Sequence, residues 1–337
     1  MTSRQRVRAA LEFSRPDRIP YDLWALPLAE ITHGKDAVAA LRAKWPSDIV
    51  QCTVGRAAAK RVQGSPTAVG TYIDEWGCVF ENLQEGVIGE VKHPLLDDYS
   101  KLSDLRPPEE LLAIDIAVVN EYCRSTDKYV FASGWLRPWE RMQFLRGSEN
   151  LYMDIAEDSP DLHAFLNIVD GYFVKQIEAW SKTNVDAVVL MDDWGAQRGL
   201  LISPTDWRRL FKPRYARYCQ IARDAGKKIF MHSDGDIQSI YPDLIEIGVN
   251  AINSQLFCMD IERLGRECKG KITFWGELDR QHILPFGSPA QVRAGVQRVF
   301  DNLYSPNGGI IAQCEIGGPG TVPNADLMFQ TWQDLTT

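Results

Sequence analysis

Short apolar runs alternate along the chain with longer segments whose apolar residues recur at helical spacing. The runs at Ile19–Trp24, Asp48–Val54, Tyr129–Ser133, Asp186–Met191, Lys228–Met231, Val249–Asn253, Lys271–Trp275 and Gly309–Gln313 are too short for helices. Most are rich in β-branched or aromatic residues, as strands buried on both faces are. Between them, Ser159–Lys182 places Leu162, Phe165, Leu166, Val169 and Phe173 on one helical face. Thr205–Asp224 starts at Ser203-Pro204 and stops at Gly226, and Ile237–Ile247 closes at Gly248. Asp260–Cys268 and Pro289–Leu303 complete the series. Strands alternating with helices predict a parallel sheet with right-handed crossovers, and eight such strands favour a closed (β/α)8 TIM barrel over an open sheet. Gly70–Lys92 breaks the rhythm with glycine-interrupted pieces that read as hairpins. Residues 55–127 are therefore expected to be an insertion after the second strand, carrying one helix at Glu109–Arg124, within a single domain spanning 1–337.

Composition narrows the function classes. The 337 residues carry a net charge of −8, which argues against sequence-independent nucleic-acid binding. No apolar run approaches a membrane span, and the first twenty residues lack the apolar segment of a secretory signal. Seven scattered cysteines without a CxxC pair suit reduced thiols in a cytoplasm. No Gly-x-Gly-x-x-Gly or Walker loop is present, so dinucleotide and P-loop chemistry have no support.

In a barrel the carboxyl ends of the strands meet on one face. That face is expected to receive Asp192, Asp193, Trp194 and Gln197 from the fourth strand, and His232 and Asp234 from the fifth. The sixth would add Asn253 and Gln255, the seventh Glu277 and Asp279, and the eighth Cys314 and Glu315. Each has an ordinary structural alternative: Asp279 suits a turn cap, Cys314 a small buried side chain. Together they make an acidic mouth that calls for a compensating cation, metal or basic substrate. His232, Asp234 and Cys314 are one candidate zinc set, though ligands from distant strands are weakly specified by spacing. Asp74 and Trp76, in Asp74-Glu75-Trp76-Gly77, could line a pocket or close a turn.

The opening SRQRVRAALEFSRPDRIP, Asp74–Gly77, Met231-His232-Ser233-Asp234-Gly235, Phe274-Trp275-Gly276-Glu277-Leu278-Asp279 and the terminal GGIIAQC resemble the uroporphyrinogen decarboxylase superfamily over nearly the whole chain. The resemblance implies a single-domain (β/α)8 barrel. True decarboxylases of the superfamily hold their polycarboxylate substrate with arginines in an N-terminal Met-Arg-Gln-Ala-Gly-Arg-Tyr segment. Here Ile19–Pro27 contains no arginine, and the next is Arg42. The other branch transfers methyl groups between corrinoid proteins and thiols or other acceptors, using zinc on a His-x-Cys pair and a later cysteine. His232 and Cys314 match the outer positions, and Asp234 replaces the middle cysteine, which hardens the site. Cys258 is a weaker substitute.

The resulting expectation is a methyltransferase with a small-molecule substrate, zinc on His232, Asp234 and Cys314, and a corrinoid protein as partner. His232, Asp193 and Glu277 would be catalytic. Asp74, Trp76, Asp192, Trp194, Gln197, Gln255, Asp279 and Glu315 would bind substrate. A decarboxylase (lyase) acting on a porphyrinogen-like or smaller carboxylate is the first alternative, and a non-catalytic corrinoid or tetrapyrrole binder the second.

Overall fold

A computed structural model describes residues 1–336. Its main sheet contains all eight expected strands: β1 (Tyr21–Ala25), β2 (Ile49–Gln51), β3 (Tyr129–Phe131), β4 (Ala187–Met191), β5 (Lys228–Ser233), β6 (Ala251–Ser254), β7 (Thr273–Trp275) and β8 (Ile310–Ile316). They pair in the order β1-β8-β7-β6-β5-β4-β3-β2, every pair parallel. The seam between β1 and β2 is drawn together by Asp48 N donating to Tyr21 O at 2.7 Å. Asp48 also accepts from Tyr21 N at 2.8 Å, and Ser47 Oγ accepts from Leu23 N at 2.8 Å. The sheet thereby curls into a nearly closed barrel ringed by helices.

The two-residue period of each strand sorts its side chains between two cores. Phe131, Val189, Phe230, Trp275 and Ile311 fill the lumen. Val188, Ile229, Met231, Ile252, Phe274 and Ile310 face outward onto the helices. The helix Pro160–Ser181 presents the apolar face read from its sequence, with Ser159 capping Leu162 N at 3.2 Å.

Two helices differ from the sequence reading. Glu109–Arg124 is divided into a 3-10 turn, Glu109–Leu112, and a helix, Ile116–Ser125. The division falls where Asp115 N bonds Gly55 O at 2.7 Å while the Asp115 carboxylate caps Val118 N at 3.1 Å, so aspartate starts the helix anew. Thr205–Asp224 is interrupted by a π-turn at Trp207–Phe211, just ahead of Pro213, which has no N–H to donate. Within the insertion, Gly70–Ile73 and Val79–Asn82 form the expected antiparallel hairpin, extended by Glu90–Val91. Among the described residues, no helix is long and apolar enough to cross a membrane.

Candidate active site

The carboxyl ends of β4 and β5 carry the central residues. The loops that follow them touch backbone to backbone: Gly195 N donates to Asp234 O at 3.0 Å and Asp236 N to Ala196 O at 2.8 Å. A Cβ on either Gly195 or Gly235 would overlap the other loop, and Gly235 has φ +76°. Only glycine permits that approach. It brings Asp193 and Asp234 to His232, whose Nε2 lies 3.6 Å from Asp193 Oδ1 and 3.5 Å from Asp234 Oδ1.

Hydrogen bonds fix the His232 tautomer. Asn253 commits its amide nitrogen to Trp275 O and to Gln313 Oε1. Its oxygen therefore faces His232 Nδ1, at 2.5 Å, and must accept a proton from it. Nε2 is left facing two carboxylates. Three electron-pair donors converging on one point call for a positive charge between them. Asp193, His232 and Asp234 offer ligand atoms all within 4.8 Å of one another. One imidazole and two carboxylates form a set able to hold a divalent ion, harder than a thiolate set.

Cys314 is not part of this group, which corrects the expected zinc set. On β8, Ile311, Gln313 and Glu315 turn inward, while Ile310, Ala312, Cys314 and Ile316 pack in the outer core. Burial pushes the Cys314 thiol well above its usual range, with Glu277 and Glu315 adding to the effect. The structure brings in Asp193 instead.

Other expected site residues separate in the same way. Asp192 turns outward, accepting from Glu140 N at 2.9 Å and from the Tyr215 hydroxyl. Burial, reinforced by Glu140, holds its carboxyl well above the usual carboxylate range. Trp194 is fully buried and stacked on Trp139 at 4.5 Å, so it supports the site and does not line it. Gln197, Gln255, Asp279, Glu277 and Cys258 border a small recess beside the mouth. Asp279 there caps Gln281 N and His282 N, both at 2.8 Å. Asp74 both closes its turn, accepting from Trp76 N and Cys78 N, and pairs with Arg141.

The sequence reading missed the cation that balances the mouth. Arg280 bonds Glu315 Oε1 at 2.7 Å, lies 3.3 Å from Glu277 Oε2 and contacts Asp234. Burial drives the Glu277 carboxyl well above its usual range against the opposing pull of Arg280. A second missed group is Asp22, which faces inward on β1 and accepts from the indoles of Trp24 and Trp275, both at 2.9 Å. Burial raises its carboxyl to about 7. The bond orients Trp24, whose ring lies 5.5 Å from that of His232 and 5.5 Å from that of Trp135. Inward β1 positions neighbouring β8 were the available signal, and the two-residue period would have found Asp22.

Trp135 leads into a cavity of about 470 Å³ between the insertion hairpin, the loop after β3 and the helices Pro138–Arg146 and Pro160–Ser181. Asp74 and Trp76 are in its wall, as are Arg56, Arg137, Glu140 and Arg141. Glu140 is close enough to Asp193 and Asp234 for their charges to act on it, and burial raises its carboxyl to about 7.

Comparison with known proteins bears on fold and family. The uroporphyrinogen decarboxylase profile matches residues 71–331. No curated protein sequence matches the chain. Among solved structures, a methyltransferase from Methanosarcina mazei superposes with a TM-score of 0.69 at 15% identity, covering 99% of each chain. An intracellular xylanase from Thermoanaerobacterium saccharolyticum gives a TM-score of 0.42 at 12% identity, over 89% of this chain and 86% of that one. The second likeness is too slight to inform the site, and the first establishes the barrel. With the matched profile spanning most of its length, the chain belongs to the uroporphyrinogen decarboxylase family.

Proposed function

We propose that the protein is a methyltransferase reacting at the barrel mouth, with a corrinoid-bearing protein as the partner that docks over that face. The observation that carries this reading is the convergence of His232 Nε2, Asp193 and Asp234 on one point at the strand ends. As a heteroatom attacks a methyl carbon, the bond from carbon to its donor breaks and leaves its electron pair on the donor. The acceptor must shed its proton, and Asp193 or His232 Nε2 is placed to receive it. Asn253 holds the imidazole in the tautomer this requires. A divalent ion held by Asp193, His232 and Asp234 would, when bound, polarise the acceptor and favour loss of its proton. The Methanosarcina mazei barrel is itself called a methyltransferase, which agrees with the reading at the level of fold.

Charge supports methyl transfer over porphyrinogen decarboxylation. Arg280 is engaged by Asp234, Glu277 and Glu315, Arg141 by Asp74 and Glu75, and Arg137 by Glu140 at 3.4 Å. A substrate with several carboxylates needs several free guanidinium forks, and these are occupied. A decarboxylase acting on a small carboxylate is the second reading, favoured by the Glu140 carboxyl, which is part-protonated near neutrality and sits in the wall between cavity and mouth.

The test follows loss of the methyl group from methylcobalamin by corrinoid absorbance, with a panel of small thiols as acceptors. His232→Ala and Asp193→Asn should each slow transfer by about 100-fold or more with unchanged circular dichroism. Transfer at the wild-type rate in both variants would remove the site from the reaction.

A further inference from the structure

The cavity beside the mouth contains polar groups that the chain itself leaves unanswered. Tyr172 is only 4% exposed, with Arg56 against its hydroxyl oxygen, yet the hydroxyl proton has no acceptor. The buried indole nitrogen of Trp135 has none either. Both residues line the cavity, and both groups are donors. Arg56 has no carboxylate partner among the described residues, in contrast to Arg137 and Arg141 beside it. Its guanidinium lies against Gly134, where a Cβ would overlap it, and φ there is +69°. A glycine thus opens the space that lets the fork reach the cavity wall next to Trp135. Unpaired buried donors carry a desolvation cost, and a ligand oxygen would relieve it.

Beside the paired charges of Asp74, Glu75, Glu140, Arg137 and Arg141, the rest of the wall is largely aromatic. Trp76 packs edge-on to Tyr172 at 4.9 Å, and Phe80 meets Phe144 at 5.1 Å, so aromatic rings form a connected part of the lining. The volume of about 470 Å³ falls within the roughly 300–1,000 Å³ of small-ligand sites.

We infer that this cavity binds a planar aromatic monocarboxylate, its carboxylate received by Arg56, the Tyr172 hydroxyl and the Trp135 indole N–H. One guanidinium without a carboxylate partner, its Nε on Leu111 O at 3.4 Å, sets the charge at one, because the neighbouring arginines are already paired. The aromatic rings in the lining select a flat unsaturated body, extending from the carboxylate along Trp76, Phe80 and Phe144. This assignment does not rest on the proposed reaction at the mouth. Binding itself is measurable without turnover.

Isothermal titration of the full-length protein with trans-cinnamate and benzoate tests the inference, with hexanoate and benzamide as controls. The aromatic carboxylates should bind saturably, about tenfold more tightly than either control. Arg56→Met should weaken cinnamate about tenfold or more, and Arg56→Lys less, since it keeps the charge and loses the fork. Tyr172→Phe should weaken it about fivefold, with thermal melting confirming that each variant is folded. No saturable binding of either aromatic acid, equal binding of hexanoate, or an unchanged affinity in folded Arg56→Met would each overturn it. Intact cinnamate binding in a protein without methyl transfer would retire the reaction and keep the ligand class. Methyl transfer without such binding would do the reverse.

Discussion

Replacing Arg280 with methionine isolates the electrostatics of the mouth. The side chain is 13% exposed and faces Glu277 at 3%, Glu315 at 18% and Asp234 at 36%. Methionine fills much of the volume and leaves three carboxylates, with Asp279 nearby, without their cation. Removing one partner of a buried pair generally costs about 3–5 kcal/mol. The lower figure applies here, because Asp234 and Glu315 retain some water and Glu277 escapes part of the cost by holding a proton. A loss of about 3 kcal/mol, spread over an unfolding entropy near 2.1 cal/mol/K per residue for 337 residues, lowers the melting temperature by about 4 °C. The loss must also depend on pH. Glu277 already has a raised folded pKa against its ordinary 4.5, so the folded state binds more protons than the unfolded one. Stability on this account falls as pH rises through 4.5 toward the folded value. Taking away Arg280 lifts that folded value further, because its coulombic pull on Glu277 is lost. The gap between variant and wild type should therefore be small at pH 5 and full at pH 8.5, read by differential scanning calorimetry at both. A gap that is the same at both pH values, or wider at pH 5, would refute the reasoning.

Cys314→Ala should leave divalent-ion affinity within about twofold and methyl transfer unchanged, whereas Asp234→Asn should weaken the ion about tenfold or more; titration with zinc and manganese reads both. Arg280→Met should bind the same ions more tightly than wild type, because Asp234 loses its competing cation. Trp194→Ala should cost about 3–5 kcal/mol in denaturant unfolding, as an emptied core position does, without altering the apparent affinity for methylcobalamin. Tyr215→Phe should cost about 1–3 kcal/mol by leaving Asp192 without its hydroxyl donor.

Strand order and helix pattern were legible because the barrel repeats one local rule eight times, and apolar runs with helical spacing state that rule directly. The set of strand-end residues was legible for the same reason. Which way each side chain turns was less so. Cys314 and Gln313 are adjacent, and a one-residue choice sends one to the helices and the other to Asn253. Asp192 and Trp194 leave the lumen by the same alternation, and Asp193 between them stays. Arg280 could not be read at all as the mouth's cation. Its partners come from the ends of β5, β7 and β8, so its role depends on closure of the barrel. The pairing of Arg141 with Asp74 likewise needs the insertion hairpin folded down on Pro138–Arg146. Asp279 followed its local rule and capped its turn.

The most direct test of the central claim is a paired assay on one preparation. Uroporphyrinogen is supplied in one arm and decarboxylated products are separated by chromatography. Methylcobalamin and the thiol panel are supplied in the other, and corrinoid absorbance is followed. The account predicts saturable demethylation in the second arm, abolished by His232→Ala, and no product above background in the first. Efficient decarboxylation of uroporphyrinogen, with no methyl transfer to any acceptor, would contradict it.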